Sequence, residues 1–99
     1  MPYINVKVNP SLPQTFGFDP AEVGDMIVSV REGQSIPETV RSLAEKNGSF
    51  WKSIFDEKNQ IINPGVLVIL NSRIVNPYDP KVILGEGDKL TFLPMMDGG

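Results

Sequence analysis

Gly87-Asp88-Lys89-Leu90-Thr91-Phe92-Leu93-Pro94, followed after Met95-Met96-Asp97 by Gly98-Gly99, is the stretch whose reading decides the fold. Leu90 and Phe92 alternate with Thr91 and Leu93, the period of a strand. Gly85-Glu86-Gly87-Asp88 ahead of it reads as a glycine-rich turn. It is not a phosphate loop, because no helix follows it. Gly98 and Gly99 are expected to form a flexible tail. Glycine is the least restricted residue in backbone angle and the thinnest in cross-section. Such a tail suits threading into a narrow tunnel on another protein, where it presents a terminal carboxylate. The bland alternative is that glycine is simply tolerated at a terminus.

Working outward, Tyr3 to Val8 alternates, with Ile4, Val6 and Val8 on one face and Tyr3, Asn5 and Lys7 on the other. That pattern predicts a half-buried strand. Asn9-Pro10-Ser11-Leu12-Pro13 stops it, and the chain from there to Asp25 reads as a long loop. Within that loop, Asp19 caps a single helical turn that opens on Pro20. Met26-Ile27-Val28-Ser29-Val30 is a second strand. Ser35 and Glu38 have the spacing of a capping box. Ile36, Val40, Leu43 and Ala44 then form one apolar stripe, predicting a helix over 36–46 that stops at Asn47-Gly48. Phe50, Trp51, Ile54 and Phe55 fit a turn or two of helix, with Trp51 read as core filling. Val66 to Leu70 is an apolar strand, Asn71-Ser72 a tight turn and Arg73-Ile74-Val75 a short return strand. The order is α+β: a mixed sheet with one main helix packed on one face.

Residues 1–99 are expected to form one domain. The chain has 40% apolar and 21% charged residues, an ordinary globular balance. Its net charge of −3, with scattered Lys and Arg, disfavours a nucleic-acid partner. It has no cysteine and no histidine, which excludes disulfides, thiol nucleophiles, imidazole catalysis and the usual zinc sites. No metal site is expected. The N-terminus lacks the features of a signal peptide, and no apolar run approaches the ~20 residues of a membrane span. A cytoplasmic protein without membrane contact is the expectation.

The element order, the Gly87–Pro94 strand with Gly98-Gly99, and the run Val66-Leu67-Val68-Ile69-Leu70-Asn71-Ser72 together resemble the β-grasp (ubiquitin-like) sulfur carriers. These include the small subunit of molybdopterin synthase and the thiamine-pathway carrier. The chain departs from their pattern in having Ser72 where glycine is common, Met95 where a second proline is frequent, and Asp97 in the spacer. The resemblance implies a β-grasp fold in which the first and last strands pair in parallel. It implies a carrier and co-substrate, not an enzyme. A separate adenylating enzyme would use ATP to convert the Gly99 carboxylate into an acyl-adenylate, with Gly98 beside it in the channel. A sulfur donor would displace the nucleotide and leave a thiocarboxylate, which a synthase large subunit or other sulfur acceptor consumes. No cofactor is expected on the chain itself. Molybdenum or tungsten cofactor synthesis is the first pathway expected. A thiamine-type carrier, a modifier conjugated to lysines and a binding module without terminal chemistry stay open.

Alternation also bears on docking. If Leu90 and Phe92 face the helix, Thr91 and Leu93 face away. If Val66, Val68 and Leu70 point inward, Leu67 and Ile69 point out. A solvated sheet face is normally polar, so Leu67, Ile69 and Leu93 form an apolar patch that marks a docking surface. The resemblance places the family's partner contacts on this face, giving Leu67, Ile69, Thr91, Leu93, Pro94, Met95 and Met96 as candidate partner-binding residues. The alternative is that the Asn9–Asp25 loop or the Phe50–Asn63 segment folds over them.

Overall fold

Five strands form one mixed sheet in the order β2-β1-β7-β5-β6, comprising Tyr3–Val8 (β1), Met26–Ser29 (β2), Val66–Leu70 (β5), Arg73–Ile74 (β6) and Lys89–Pro94 (β7). A computed structural model of the chain describes residues 2–46 and 48–95. β1 and β7 lie side by side in parallel, with Val6 opposite Leu90 and Val8 opposite Phe92. All other pairs in the sheet are antiparallel. The helix Ile36–Lys46 (α2) covers one face through Ile36, Val40, Leu43 and Ala44, all buried. Burying each of its larger apolar side chains stabilises the fold by about 1.5–3 kcal/mol. Ser35 caps this helix, its Oγ accepting from the Glu38 amide at 3.2 Å. Among the described residues the reciprocal arm of the capping box is not formed, because the Glu38 carboxylate pairs with Arg31.

The expected loop from Asn9 to Asp25 is corrected in part. Ser11–Thr15 is a short helix (α1), and Pro20–Glu22 is a 3₁₀ turn capped as expected by Asp19, whose Oδ1 accepts from the Ala21 amide at 2.9 Å. Asn9 starts α1, its Oδ1 accepting from the Ser11 amide at 2.9 Å and from the Ser11 hydroxyl at 2.7 Å. Pro13 is tolerated because the first turn of a helix leaves its amides without intrahelical partners. Leu12, fully buried, anchors the helix to the core. One turn is too short for a helical period to be visible in the sequence.

Ser49–Ile54 (α3) carries the aromatics inward. Trp51 is buried and meets Phe92 edge-on, ring centres 5.4 Å apart, while Phe50 meets Trp51 at 5.2 Å and Phe18 at 5.8 Å. Edge-to-face stacking of this kind adds roughly 0.5–1.5 kcal/mol per pair beyond area burial. Trp51 is therefore part of the core. The stretch after α3 contains a second, two-stranded sheet that periodicity did not reveal: Phe55–Asp56 (β3) against Ile61–Ile62 (β4). Asp56 closes its turn, accepting from the Asn59 side chain at 2.7 Å and amide at 3.1 Å. Those bonds hold its carboxyl below the usual carboxylate range, the side-chain bond contributing most.

Asn71 and Ser72 both have positive φ, 51° and 75°, the geometry of a type I′ hairpin turn between β5 and β6. Asn71 does more than turn. Its Oδ1 accepts from the Lys89 amide at 2.8 Å, its amide donates to the Lys89 carbonyl at 2.9 Å, and its Nδ2 donates to Asp88 Oδ1 at 2.8 Å. Asp88 Oδ2 in turn accepts from the Gly85 amide at 2.9 Å. The entrance to β7 is pinned by this network. Ser72, by contrast, has no such compensation for a left-handed conformation that costs an L-residue roughly 1–2 kcal/mol. Ser72→Gly is expected to raise stability by about 0.5–1 kcal/mol, offset in part by the greater freedom of the unfolded chain. Thermal unfolding checks this: the expected gain is a few degrees, and a lower Tm would contradict the turn assignment.

Candidate functional site

The outer face of the sheet is built by register. β5 and β7 place Leu67 opposite Leu93 and Ile69 opposite Thr91, and Val66 opposite Pro94. Leu67, Ile69, Thr91, Leu93 and Pro94 are all half-buried, whereas Val66, Val68, Leu90 and Phe92 on the other side are buried. Leu70 is only half-buried, because it closes β5 at the turn. The Asn9–Asp25 and Phe50–Asn63 segments pack on the helix side: Leu12, Phe50, Trp51, Ile54, Phe55 and Ile62 all join the core. Neither segment supplies the cover that the alternative reading required.

Two further apolar residues belong to this face. Ile74 of β6 lies opposite Ile69 and is 69% exposed, and Ile27 of β2 lies opposite Asn5 and is 71% exposed. Their strands were legible in the sequence. Their orientation was not, because strands so short leave the choice of face to the partner's register. Lys7, opposite Thr91, and Lys89, opposite Asn5, add positive charge between the apolar residues. Lys7 lies 3.9 Å from Asp25.

The strip Leu67–Leu93 leads along β7 to Pro94 and then to Met95, which is 52% exposed and whose amide donates to the Gly65 carbonyl at 2.8 Å. That bond fixes the direction in which the chain leaves the sheet. Met96, Asp97, Gly98 and Gly99 lie outside the described residues, so the expected form of the tail and the place of Met96 lie there too. Among the described residues no group of three or more Asp and Glu side chains converges to hold a metal, and no helix is long and apolar enough to cross a membrane. A cavity of about 700 Å³ opens between α2, α3 and β3–β4 and is lined by Arg41, Lys52, Phe55 and Ile61 among others. Its lining is drawn from α2, α3, β3–β4 and the Asn63-Pro64 turn, and includes none of the outer-strip residues.

A model of the ThiS family matches residues 16–99, most of the chain. The chain belongs to the ThiS family. This family comprises ubiquitin-like sulfur carriers and modifiers, small and generally non-catalytic proteins that work with adenylating enzymes and synthase large subunits. No curated protein matches the sequence. The fold is similar to that of Haloferax volcanii small archaeal modifier protein 1 (TM-score 0.70, 14% identity, 97% of this chain and 100% of that one). It is similar also to a putative molybdopterin converting factor subunit 1 from Pyrococcus furiosus (0.63, 18%, 97% and 100%). Urm1 from Trypanosoma brucei is a further match (0.63, 20%, 98% and 95%). At these identities the likeness concerns the β-grasp fold alone.

Adjacent residues of β7 separate the two faces experimentally. Leu93→Asp is expected to leave stability within about 1 kcal/mol of wild type, as for a substitution outside the core. Phe92→Asp, placing an unpaired charge against Trp51, is expected to cost several kcal/mol and abolish cooperative folding. Urea unfolding of both variants checks this. Equal losses would contradict the face assignment.

Proposed function

We propose that this ThiS-family protein is a sulfur carrier whose Gly99 carboxyl is the reacting group. An α-carboxyl has a reference pKa near ~3.5, so at pH 7 it is an anion able to attack the α-phosphorus of ATP. Attack forms the acyl-adenylate and expels pyrophosphate. A sulfur donor then adds to the acyl carbon and expels AMP, leaving a thiocarboxylate. The ATP site, magnesium and arginines belong to the activating enzyme, and the acceptor is a synthase large subunit. Molybdopterin synthesis is the pathway this reading favours.

The family match, which runs through Gly98-Gly99, carries the proposal. It is supported by the outer strip of Leu67, Ile69, Thr91 and Leu93, which runs in register toward Pro94 and Met95. A partner gripping that strip holds the chain a few residues from the reacting carboxyl. Ubiquitin-like conjugation to lysines is the second reading, favoured by the similarity to a protein named as a modifier. Both readings share the activation step.

Deleting Gly99 is expected to abolish ATP–pyrophosphate exchange with the cognate activating enzyme at unchanged Tm. The deletion withdraws the carboxyl by roughly 3.5 Å, and even a 1 Å misplacement can cost about a hundredfold in rate. Asp97→Ala should exchange at least as fast as wild type. Intact mass then separates the readings: sulfur-for-oxygen replacement marks the carrier, and high-mass lysine adducts mark the modifier. Undiminished exchange by the deletion variant would overturn both.

A further inference from the structure

The free edge of the sheet at β2 has a backbone phase that can be derived. The Val30 amide donates to the Pro2 carbonyl at 2.9 Å, so the hydrogen-bonded pairs of the β1–β2 ladder are Val30/Pro2, Val28/Ile4 and Met26/Val6. β1 agrees, since Tyr3, Asn5 and Asn9 bond in the opposite direction, to the Gly87–Phe92 side. Ile27 and Ser29 therefore direct their N–H and C=O groups away from the sheet. β2 is the terminal strand, so among the described residues no strand meets them. Ile27 also carries the largest exposure of the large apolar side chains described, 71%. An edge strand with unpaired amides and an exposed isoleucine is a template for another strand.

The residues flanking β2 select the partner. We infer that β2 pairs antiparallel with β2 of a second copy of this chain, about a twofold axis at Val28, joining two sheets into one. In that register Ile27 lies opposite the partner's Ser29, and Ser29 opposite the partner's Ile27. Both are hydrogen-bonded pairs, so every outward amide and carbonyl of the two residues is satisfied. Two residues further on each side, past the Met26/Val30 pairs and beyond the ends of β2, Asp25 lies level with the partner's Arg31 and Arg31 with the partner's Asp25. This is a contact between side chains, since the Arg31 backbone is already bonded to Gln34. Opposite charges facing across strands are stabilising and like charges are not. Both side chains are available, Asp25 being 60% and Arg31 64% exposed. Asp25 keeps Lys7, and its Oδ1 keeps the Val8 amide at 3.1 Å, while Arg31 keeps Glu38. Shifting the axis to Ile27 or Ser29 pairs Asp25 with Ser29 or with Gly33 and loses both ion pairs. The charge pattern thus favours self-pairing in one register over the others. β1 separates this edge from β7, so the contact leaves the outer strip and the tail free and does not depend on the proposed sulfur chemistry.

The chain has no cysteine, so a single introduced cysteine can form only an intermolecular disulfide. At the twofold axis two copies of residue 28 form a non-hydrogen-bonded pair, Cα atoms about 4.5 Å apart, within the ~4.4–6.8 Å range of disulfides. V28C in the full chain is expected to oxidise to covalent dimer at least tenfold faster than I27C or S29C. Wild type at about 1 mM, where a contact near −4 kcal/mol is half formed, is expected to sediment as a monomer–dimer mixture. Ser29→Pro removes one outward N–H and no β1 bond, a position proline tolerates on an edge. It should sediment as monomer with an unchanged far-ultraviolet spectrum. Asp25→Arg should do the same, and Asp25→Arg combined with Arg31→Asp should restore dimer. Faster oxidation of I27C or S29C would overturn the register. Wild type that stays monomeric at about 1 mM, or a Ser29→Pro variant that dimerises as well as wild type, would overturn the self-pairing and leave β2 as an edge for a different strand.

Discussion

The parallel pairing of β1 with β7 is the constraint on which the rest of the molecule depends. Strands from opposite ends of the chain lie side by side, so everything between them must leave the sheet and return. Parallel neighbours need a crossover, unlike the two-residue link that suffices for a hairpin. Here β2 first extends the sheet on one side, α2 crosses its face, and β5 and β6 fill the other side. β7 then enters between β1 and β5 and bonds to both. β1 holds β7 as far as Phe92, and β5 with the Gly65 carbonyl holds it on to Met95, which gives Pro94 and Met95 a defined exit.

That arrangement divides β7 by residue parity. Leu90 and Phe92 are enclosed by the first strand, the fifth strand and the helices, with Trp51 standing edge-on against Phe92. Thr91 and Leu93 look to the other side, where the sheet carries no helix. The segments between β1 and β2, and between α2 and β5, deepen this asymmetry. Their apolar residues, from Leu12 and Phe18 to Trp51 and Ile62, enlarge the core on the helix side and leave the outer strip uncovered. These two segments thicken one layer and do not mask the other.

The polar network around Asn71 and Asp88 supports the same strand from its start. Asn71 bonds both backbone groups of Lys89, and Asp88 bridges Asn71 to the Gly85 turn. Further along, the Tyr78 hydroxyl accepts from the Ile62 amide at 2.8 Å, tying the Asn76–Pro80 loop to the second sheet. The backbone of Leu84 bonds to Gly33 and Gln34, so the approach to β7 is strapped to the start of α2. Irregular chain is thereby fixed by side-chain and backbone bonds where regular ladders are missing, as buried or partly buried polar groups require.

Much of this was legible in the residues themselves. The alternation of Ile4, Val6 and Val8, the stripe Ile36, Val40, Leu43 and Ala44, and the strand Leu90–Phe92 each repeat a period long enough to specify one buried face. The Asn71-Ser72 turn was marked by its residue types, and Gly98-Gly99 pointed to the carrier family. Tertiary structure decided the rest. α1 and the β3–β4 pair are too short to show a period, and they exist because Leu12, Phe55 and Ile62 find a core to enter. Ile27 and Ile74 joined the outer face through the register of their partner strands, which no local pattern encodes. A strand of two to four residues buries too little to choose its own face, so that choice belongs to the sheet that receives it.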